Sequence, residues 1–338
     1  MSKTRLEGPL AVSLGDPAGV GPELLAQAWA RRAELRLPVF FAVGGARLLA
    51  AAALARGLDV PIEPIESPAE AGRVFARALP VWGDADGDYR PGQPDRVGAA
   101  LALQSLTEAT DLTVSGEACA LVTGPVAKAL LAEVGFSFPG QTEFVAHACG
   151  VAADDAVMML AGPNLRTVPL TVHISLAEVP GRLSAALIER RARIVAAALT
   201  RDFGIAAPRL AVAALNPHAG ESGRMGDEEA RIIAPAIAAL QAAGIDASGP
   251  HPADALFAAH ARSGYDVALC MYHDQALIPL KTLDFDLGVN VTLGLPIVRT
   301  SPDHGTAFAI AGTGRASAEA TIAAIRMAGE CAARRAAL

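Results

Sequence analysis

Three histidines, His173, His218 and His273, each follow a short apolar segment of the chain. Short apolar segments of this kind predict buried strands. In α/β proteins, functional groups lie just beyond the carboxyl ends of strands. Neutral imidazole is the commonest metal ligand in proteins, and three protein ligands with one open position are typical of a catalytic divalent metal. These histidines are therefore candidate metal ligands, with hydrogen-bonded core or surface histidines as the alternative.

Two aspartates are the carboxylates nearest to this pattern in the sequence. Asp274 directly follows His273, and Asp254 precedes it in a Pro-Ala-Asp-Ala segment. Either carboxylate could orient a metal-bound histidine or accept a proton from a substrate. For Asp254, capping of the helix that follows it is the alternative.

Three polar residues after the third histidine are candidates for binding an anion. They are Lys281, Asn290 and Arg299. Arg299 follows a strand-like segment, residues 296–298, and a guanidinium at such a place can hold a phosphate or carboxylate through two parallel hydrogen bonds. The alternative for these charges is an ordinary solvated surface position.

Two glycine-containing loops could bring backbone N–H groups close to a ligand. Gly15 and Asp16 open the first, GDPAGVG, which lies between a predicted strand and a predicted helix. It does not match G-x-G-x-x-G, so the Rossmann fingerprint is absent, although a strand-to-helix turn can still approach a phosphate. The second loop is His304-Gly305-Thr306-Ala307.

Strand-like segments alternate with helical ones, which predicts an α/β protein with a largely parallel sheet. The pattern predicts a helix over residues 96–115, one long helix over residues 178–203 and a strand over residues 166–172. Residues 67–95 are rich in proline, glycine and aspartate and predict an irregular connection.

The composition argues against several classes of protein. No apolar segment approaches the ~18–20 residues of a membrane span, and residues 1–7 lack the apolar core of a signal peptide. The formal net charge is −7 and no basic patch is evident, which argues against nucleic-acid binding. Four cysteines without a C-x-x-C pair suit a reducing compartment. We therefore expect a cytoplasmic protein with neither membrane nor nucleic-acid partners.

The motifs in this chain resemble those of the 4-hydroxythreonine-4-phosphate dehydrogenases, the PdxA family of vitamin B6 biosynthesis. The similarity runs through nearly the whole chain in order. The matching segments are GDPAGVGPE from residue 15, GQTEF from 140, NPHAGE from 216, PADALF from 252, YHDQALIPLK from 272, GVNVTLGLPIVRTSPDHGTAF from 288 and IAGTG from 310.

The resemblance implies a fold of the isocitrate/isopropylmalate dehydrogenase type, with two α/β domains and the active site in the cleft between them. Residues 1–130 and 300–338 would form the NAD-binding-side domain. Residues 131–299 would form the metal, substrate and dimerisation domain of a homodimer.

The resemblance also implies roles for individual residues. His173, His218 and His273 match metal ligands that the two subunits share, for one Zn²⁺, Mg²⁺ or Co²⁺ per site. The matching substrate-binding positions are Gln141, Thr142, Lys281, Asn290 and Arg299. The loop with His304, Gly305, Thr306 and Ala307 resembles the adenosine-side loop of the decarboxylating dehydrogenases, which implies NAD or NADP binding without a Rossmann fingerprint.

The implied reaction is the NAD-dependent oxidation of 4-phosphooxy-L-threonine to 2-amino-3-oxo-4-phosphooxybutanoate, which decarboxylates to 3-amino-2-oxopropyl phosphate. Lys281, Asp274 or Asp254 would be the proton acceptor.

Two residues depart from the usual family pattern. Gln141 stands where histidine is more usual, and Ala309 stands where aspartate is more usual. Because of Gln141, related substrates remain alternatives: phosphoerythronate, phosphothreonate or a cis-dihydrodiol carboxylate. A phosphate acyltransferase, which has a related fold, is the rival that would need neither metal nor NAD.

Overall fold

The computed structural model describes residues 8–338. The predicted absence of a signal peptide in residues 1–7 lies outside them. The strands are β1 (Leu10–Ser13), β2 (Phe40–Val43), β3 (Ile62–Ile65), β4 (Leu79–Trp82), β5 (Ala120–Thr123), β6 (Val157–Ala161), β7 (Arg166–Pro169), β8 (Leu210–Ala213), β9 (Ala247–His251), β10 (Val267–Cys270), β11 (Val289–Leu293) and β12 (Arg299–Pro302).

The α-helices are α1 (Gly21–Ala30), α2 (Arg32–Leu35), α3 (Ala46–Ala55), α4 (Ala71–Val74), α5 (Arg96–Ser115), α6 (Lys128–Glu133), α7 (Gln141–Ala148), α8 (Val179–Arg182), α9 (Ala185–Phe203), α10 (Ala234–Ala242), α11 (Ala253–Leu256), α12 (Ala259–Arg262), α13 (His273–Asp284) and α14 (Glu319–Ala336). In residues 8–338, no helix combines the length and the apolar character that crossing a membrane requires.

The chain divides into two compact units. The first unit runs to Ala153 and includes Leu295–Leu338, and the second is Asp154–Gly294. The sequence predicts domain boundaries after residues 130 and 299. The first boundary lies later in the structure, after Ala153, because α6 and α7 pack against α5 and so belong to the first unit. The assignment of cofactor to one domain and metal to the other stays a prediction.

The first unit contains parallel strands in the order β3-β4-β2-β1-β5-β12. Every residue of β1, β2 and β5 is buried, as in parallel sheets that helices cover on both faces. Ser105 of α5 joins the ends of two strands, because its hydroxyl accepts from Leu14 N at 3.0 Å and donates to Val43 O at 2.7 Å.

The prediction of an irregular connection over residues 67–95 is wrong in part, because α4 and β4 lie within it. Pro80 interrupts the short apolar segment of β4, and proline inside a segment argues against a strand. The strand forms because residues of β4 pair with β3 on one side and β2 on the other.

The second unit has the strand order β11-β6-β7-β10-β8-β9. β7, β10, β8 and β9 are parallel, and β6 runs antiparallel to both β11 and β7. Parallel neighbours end at the same edge of a sheet. The carboxyl ends of β7, β10 and β8 therefore lie side by side, and the chain continues from them to His173, His273 and His218, respectively.

Two predicted elements of the second unit are shorter than expected. The strand predicted over residues 166–172 ends at Pro169, and the following Thr171 bonds through its hydroxyl to Met271 O at 2.8 Å. The single helix predicted over residues 178–203 is two helices. Ser184 interrupts it because its backbone is extended and its hydroxyl accepts from Leu187 N at 3.2 Å, which caps α9.

Candidate active site

The guanidinium of Arg299 is the centre of a polar cluster in the first unit. Arg299 begins β12 and is 3 % exposed. Its Nη2 donates to Thr123 Oγ1 at 2.8 Å and to Gln141 Oε1 at 2.9 Å. Its Nη1 donates to Thr142 Oγ1 at 3.4 Å. Three of the predicted substrate residues thereby come together, and Thr123 is a further member that the sequence analysis did not select.

Burial lowers the pKa of Arg299 to about 10, and the nearby Glu143 carboxylate acts in the opposite direction. The side chain is therefore positively charged at neutral pH. Its partners in the cluster include hydroxyl and amide oxygens, which compensate a desolvated charge only in part. A buried guanidinium in this setting is suited to bind a phosphate or a carboxylate.

The strand that positions Arg299 differs from the predicted one. The apolar segment 296–298 is not the strand; β12 begins at Arg299 and is polar yet buried. It forms because Arg299 and Thr300 pair with Leu121 and Val122 of β5. A buried polar strand is invisible to an apolar pattern, which explains the error.

The side-chain amide of Gln141 has a defined orientation. Its Nε2 donates to Gly124 O at 3.0 Å, while its Oε1 accepts from Arg299. Gln141 is the first residue of α7. Its amide thus helps to fix the position of the Arg299 guanidinium and adds no charge to the cluster.

His173 and His273 line one cavity of about 270 Å³ in the second unit. The centroids of the two imidazole rings are 6.0 Å apart. Asp274 Oδ1 lies 2.7 Å from His273 Nδ1, so this carboxylate orients the ring and leaves Nε2 as the nitrogen that could bind a metal.

His218 does not join these two histidines within one chain. It is exposed in the segment Pro217–Gly223, whose backbone is left-handed from His218 to Ser222 and does not form a regular helix. Among residues 8–338, no group of three or more histidine, cysteine, aspartate or glutamate side chains is arranged to hold a metal ion. A single chain therefore brings together two of the three predicted ligands.

Two adjacent carboxylates accept hydrogen bonds from the residues that lead into Pro217–Gly223, which we call the His218 segment. Glu229 is 5 % exposed, and its Oε1 accepts from Leu215 N at 2.9 Å and from Asn216 N at 2.8 Å. The amide of Asn216 donates to Glu228 at 2.7 Å and to Glu229 at 3.0 Å. From His218 onward, six consecutive residues have positive φ.

Left-handed backbone conformations coincide with the predicted site. Seven non-glycine residues within residues 8–338 have positive φ, and Arg36 is the one outside the predicted site segments. The other six are His173, His218, Ala219, Glu221, Ser222 and Ala307. These conformations are unfavourable for residues with a Cβ and cluster at functional sites. The backbone therefore points independently to the same segments.

The remaining predicted residues of the second unit lie on three different elements. Asn290 is on β11, and its buried Oδ1 has no hydrogen-bond partner in the part of the chain that is described. Lys281 is partly buried on α13, and Asp254 is exposed on α11. A buried, unsatisfied oxygen such as that of Asn290 calls for a donor, which a bound ligand could supply.

The two predicted cofactor loops lie against each other in the first unit. Val20 N donates to Thr306 O at 3.0 Å, and a Cβ on Gly19 would lie 2.8 Å from the same oxygen. Burial raises the pKa of Asp16, against the hydrogen bond that Ala18 N donates to its Oδ1 at 3.0 Å. His304 Nε2 is buried without a hydrogen-bond partner in the described part of the chain. The close backbone approach at Gly19 and the buried Nε2 of His304 both fit a nucleotide ligand.

Solved structures show the class of protein. A 4-hydroxythreonine-4-phosphate dehydrogenase from Klebsiella pneumoniae superposes with a TM-score of 0.85 and 38% identity, covering 96% of this chain and 100% of that one. A terephthalate 1,2-cis-dihydrodiol dehydrogenase from Burkholderia xenovorans LB400 has a TM-score of 0.65 and 29% identity, covering 96% and 98% of the two chains. The fold, the site and these relatives define an α/β oxidoreductase.

Sequence comparison defines the family within that class. A curated 4-hydroxythreonine-4-phosphate dehydrogenase from Erythrobacter litoralis is 64% identical over 97% of this chain and 98% of its own. The family model described as pyridoxal phosphate biosynthetic protein PdxA matches residues 36–328. The chain belongs to the PdxA family. The α/β fold predicted from the sequence is thereby confirmed.

Proposed function

We propose that this oxidoreductase oxidises 4-phosphooxy-L-threonine at C3 with NAD or NADP, in the formation of pyridoxal 5′-phosphate. The alcohol loses a proton and a hydride to give 2-amino-3-oxo-4-phosphooxybutanoate. This β-keto acid loses CO₂ and gives 3-amino-2-oxopropyl phosphate. The observation that carries the proposal is the convergence of Gln141 and Thr142 on the buried Arg299 in a PdxA-family chain.

The first unit contains the residues that we propose bind the anion of the substrate. Arg299 would hold the phosphate or the carboxylate of the substrate, while Thr123, Gln141 and Thr142 keep the guanidinium in one orientation. An arginine that is already oriented loses little conformational entropy when the anion binds.

The second unit fits a divalent metal by its donor set. His173 and His273 would hold the ion, and Asp274 would keep the His273 ring oriented. A third imidazole would come from His218 of a second copy of the chain in a homodimer, since His218 is exposed in this one. Imidazole ligands favour Zn²⁺ or Co²⁺ over Mg²⁺. When bound, the ion would lower the pKa of the substrate hydroxyl as a Lewis acid.

Proton removal falls to a side chain of the second unit. Lys281, Asp274 and Asp254 are the candidates. Asp274 is committed to His273 by a 2.7 Å contact, so orientation of the ring suits it better than acceptance of the proton. That leaves Lys281 and Asp254 as the proposed proton acceptors.

NAD or NADP would accept the hydride at the two loops of the first unit. His304 Nε2 and the closely packed backbone at Gly19 and Thr306 support this placement. Gly15 and Asp16 begin the first loop, and Gly305 and Ala307 flank Thr306 in the second. We propose that the partner is a phosphorylated small molecule and that catalysis takes place in the cytoplasm.

One relative keeps a second substrate class open. The terephthalate 1,2-cis-dihydrodiol dehydrogenase acts, by its name, on a diol without phosphate, and it shares the fold over most of this chain. Gln141 departs from the usual family residue at a position that contacts Arg299. Phosphoerythronate and phosphothreonate are further alternatives with the same anionic and hydroxyl groups.

The decisive experiment is NADH formation by the purified protein with 4-phosphooxy-L-threonine. We expect turnover with NAD that is lost after chelation and restored by Zn²⁺ or Co²⁺. The same assay with phosphoerythronate, phosphothreonate and the dihydrodiol carboxylate compares the alternatives through kcat/KM. A higher kcat/KM for one of these compounds would identify it as the substrate in place of 4-phosphooxy-L-threonine. Full turnover in verified metal-free protein would refute the proposed role of the metal.

Gln141→Glu tests the anion site without changing its size. We expect KM for the phosphorylated substrate to rise about 10²-fold, because the new carboxylate would compete with the substrate anion for Arg299. Gln104→Glu is the matched control, since Gln104 is exposed on α5 and donates to Glu108 at 2.9 Å. An unchanged KM in Gln141→Glu would show that the Arg299 cluster does not bind the substrate anion.

A further inference from the structure

Gln275 is a buried amide that connects two of the strand ends on which the predicted metal ligands depend. It is the third residue of α13 and is 8 % exposed. Its Oε1 accepts from Met271 N at 2.6 Å, and its Nε2 donates to Ala214 O at 2.7 Å. Met271 lies two residues before His273, and Ala214 lies four residues before His218.

The same network reaches the third strand end. Thr171, which is 7 % exposed, donates from its hydroxyl to Met271 O at 2.8 Å. Met271 therefore uses its carbonyl toward the β7 end and its N–H toward Gln275. Thr171 lies two residues before His173, so one backbone unit, that of Met271, is fixed from both sides by buried side chains.

These bonds replace the strand pairing that has ended. β7, β10 and β8 stop at Pro169, Cys270 and Ala213. One further backbone bond follows β7, from Leu170 N to Cys270 O at 2.7 Å, and one follows β8, from Ala214 N to His251 O at 2.8 Å; beyond these, side chains connect the strand ends. Gln275 and Thr171 span the gap with side chains whose loss would leave buried backbone groups unsatisfied. The positions of the histidine-bearing segments then depend on an amide that bonds to backbone groups, Met271 N and Ala214 O, and not to the histidines themselves.

We infer that Gln275 is a positioning residue. Through Met271 it holds the His273 segment beside the His173 segment, and through Ala214 it fixes the start of the His218 segment that each chain offers to its partner; it thereby sets the affinity of the dimer for its divalent metal. The inference rests on the proposed function, because it assumes that these histidines bind metal. Residues that orient metal ligands typically contribute about 10–100-fold in metal affinity when they are mutated.

Gln275→Glu is the most informative variant, because it keeps the shape of the side chain. A carboxylate can still accept from Met271 N, but it cannot donate to Ala214 O and instead places two acceptors together. We expect the affinity for Zn²⁺, measured by calorimetry on the dimeric metal-free protein, to fall about 10–100-fold. The ligand-field absorption of bound Co²⁺ should shift, and kcat should recover at saturating metal.

Gln241→Glu is the matched control in the same unit. Gln241 also donates from Nε2 to a backbone carbonyl, Ala247 O, at 2.7 Å, but it connects α10 to β9, which carries none of the three predicted metal ligands. It should lower thermal stability without changing the Zn²⁺ affinity or the Co²⁺ spectrum. Thr171→Val tests the second link, and we expect a smaller loss of affinity there, about 3–10-fold.

The outcomes separate the two proposals. If the unmodified protein binds no metal, the metal-dependent part of the proposed function is refuted, and the inference about Gln275 is refuted with it. If the unmodified protein binds metal and both Gln275→Glu and Thr171→Val match the control in affinity and Co²⁺ spectrum, the inference alone is overturned. Should Gln275→Glu not fold, Thr171→Val by itself decides between these results.

Discussion

Replacing His218 by asparagine should reduce turnover at least about 10³-fold while the chain stays folded, because a catalytic metal supplies several kcal/mol and each 1.4 kcal/mol is tenfold in rate. Asparagine tolerates the positive φ of 53° at this position better than alanine, so the backbone is preserved. His218 is exposed, so little packing is lost. NADH formation, metal content per chain and thermal melting measure the three expected effects.

His260→Asn is the control for this prediction. His260 is also an exposed histidine of the second unit, on α12, and it should keep full turnover and metal content. The role of His218 would be refuted if His218→Asn retained metal and turnover within a few-fold of the unmodified protein.

The proposed sharing of ligands between subunits has its own consequence. A chain with His218→Asn and a chain with His273→Asn are each expected to be inactive. Mixed after unfolding and refolding together, they should regain about a quarter of the activity, since half of the random dimers would contain one intact site. If verified mixed dimers recovered no activity, the sharing of metal ligands between subunits would be refuted.

The second large effect concerns Arg299. Arg299→Lys should lower kcat/KM for the phosphorylated substrate about 10²–10³-fold, mainly through KM, because a lysine keeps the charge but loses the planar set of donors. The bonds to Thr123, Gln141 and Thr142 would be lost with it. Burial also disfavours the charged form of a lysine, which adds to the loss.

Arg335→Lys is the matched control for Arg299→Lys. Arg335 is a buried arginine of the same unit, 7 % exposed, and it donates to the backbone carbonyl of Pro296 at 2.9 Å. It should cost stability but leave KM unchanged. If the two variants raised KM equally, loss of a buried arginine in general, and not loss of an anion site, would explain the Arg299 result.

Local patterns predict a helix or an apolar strand where its formation depends on neighbouring residues. The helix expected over residues 96–115 is α5, with Asp95 capping its start and Gly116, at a φ of 86°, ending it. The strand over Pro80 and the polar strand at Arg299 were missed. Both form through pairing with strands that the local sequence does not contain.

The sequence by itself determined which residues could do chemistry here: three histidines after apolar segments, an arginine that follows a short apolar segment, and two glycine loops. Only the tertiary structure decided which of them meet. Arg299 reaches Gln141 and Thr142 across 158 and 157 residues, and His173 lies beside His273 while His218 does not. The reason is physical: the chemical character of a side chain is local, whereas its neighbours are set by strand pairing and buried hydrogen bonds between distant segments.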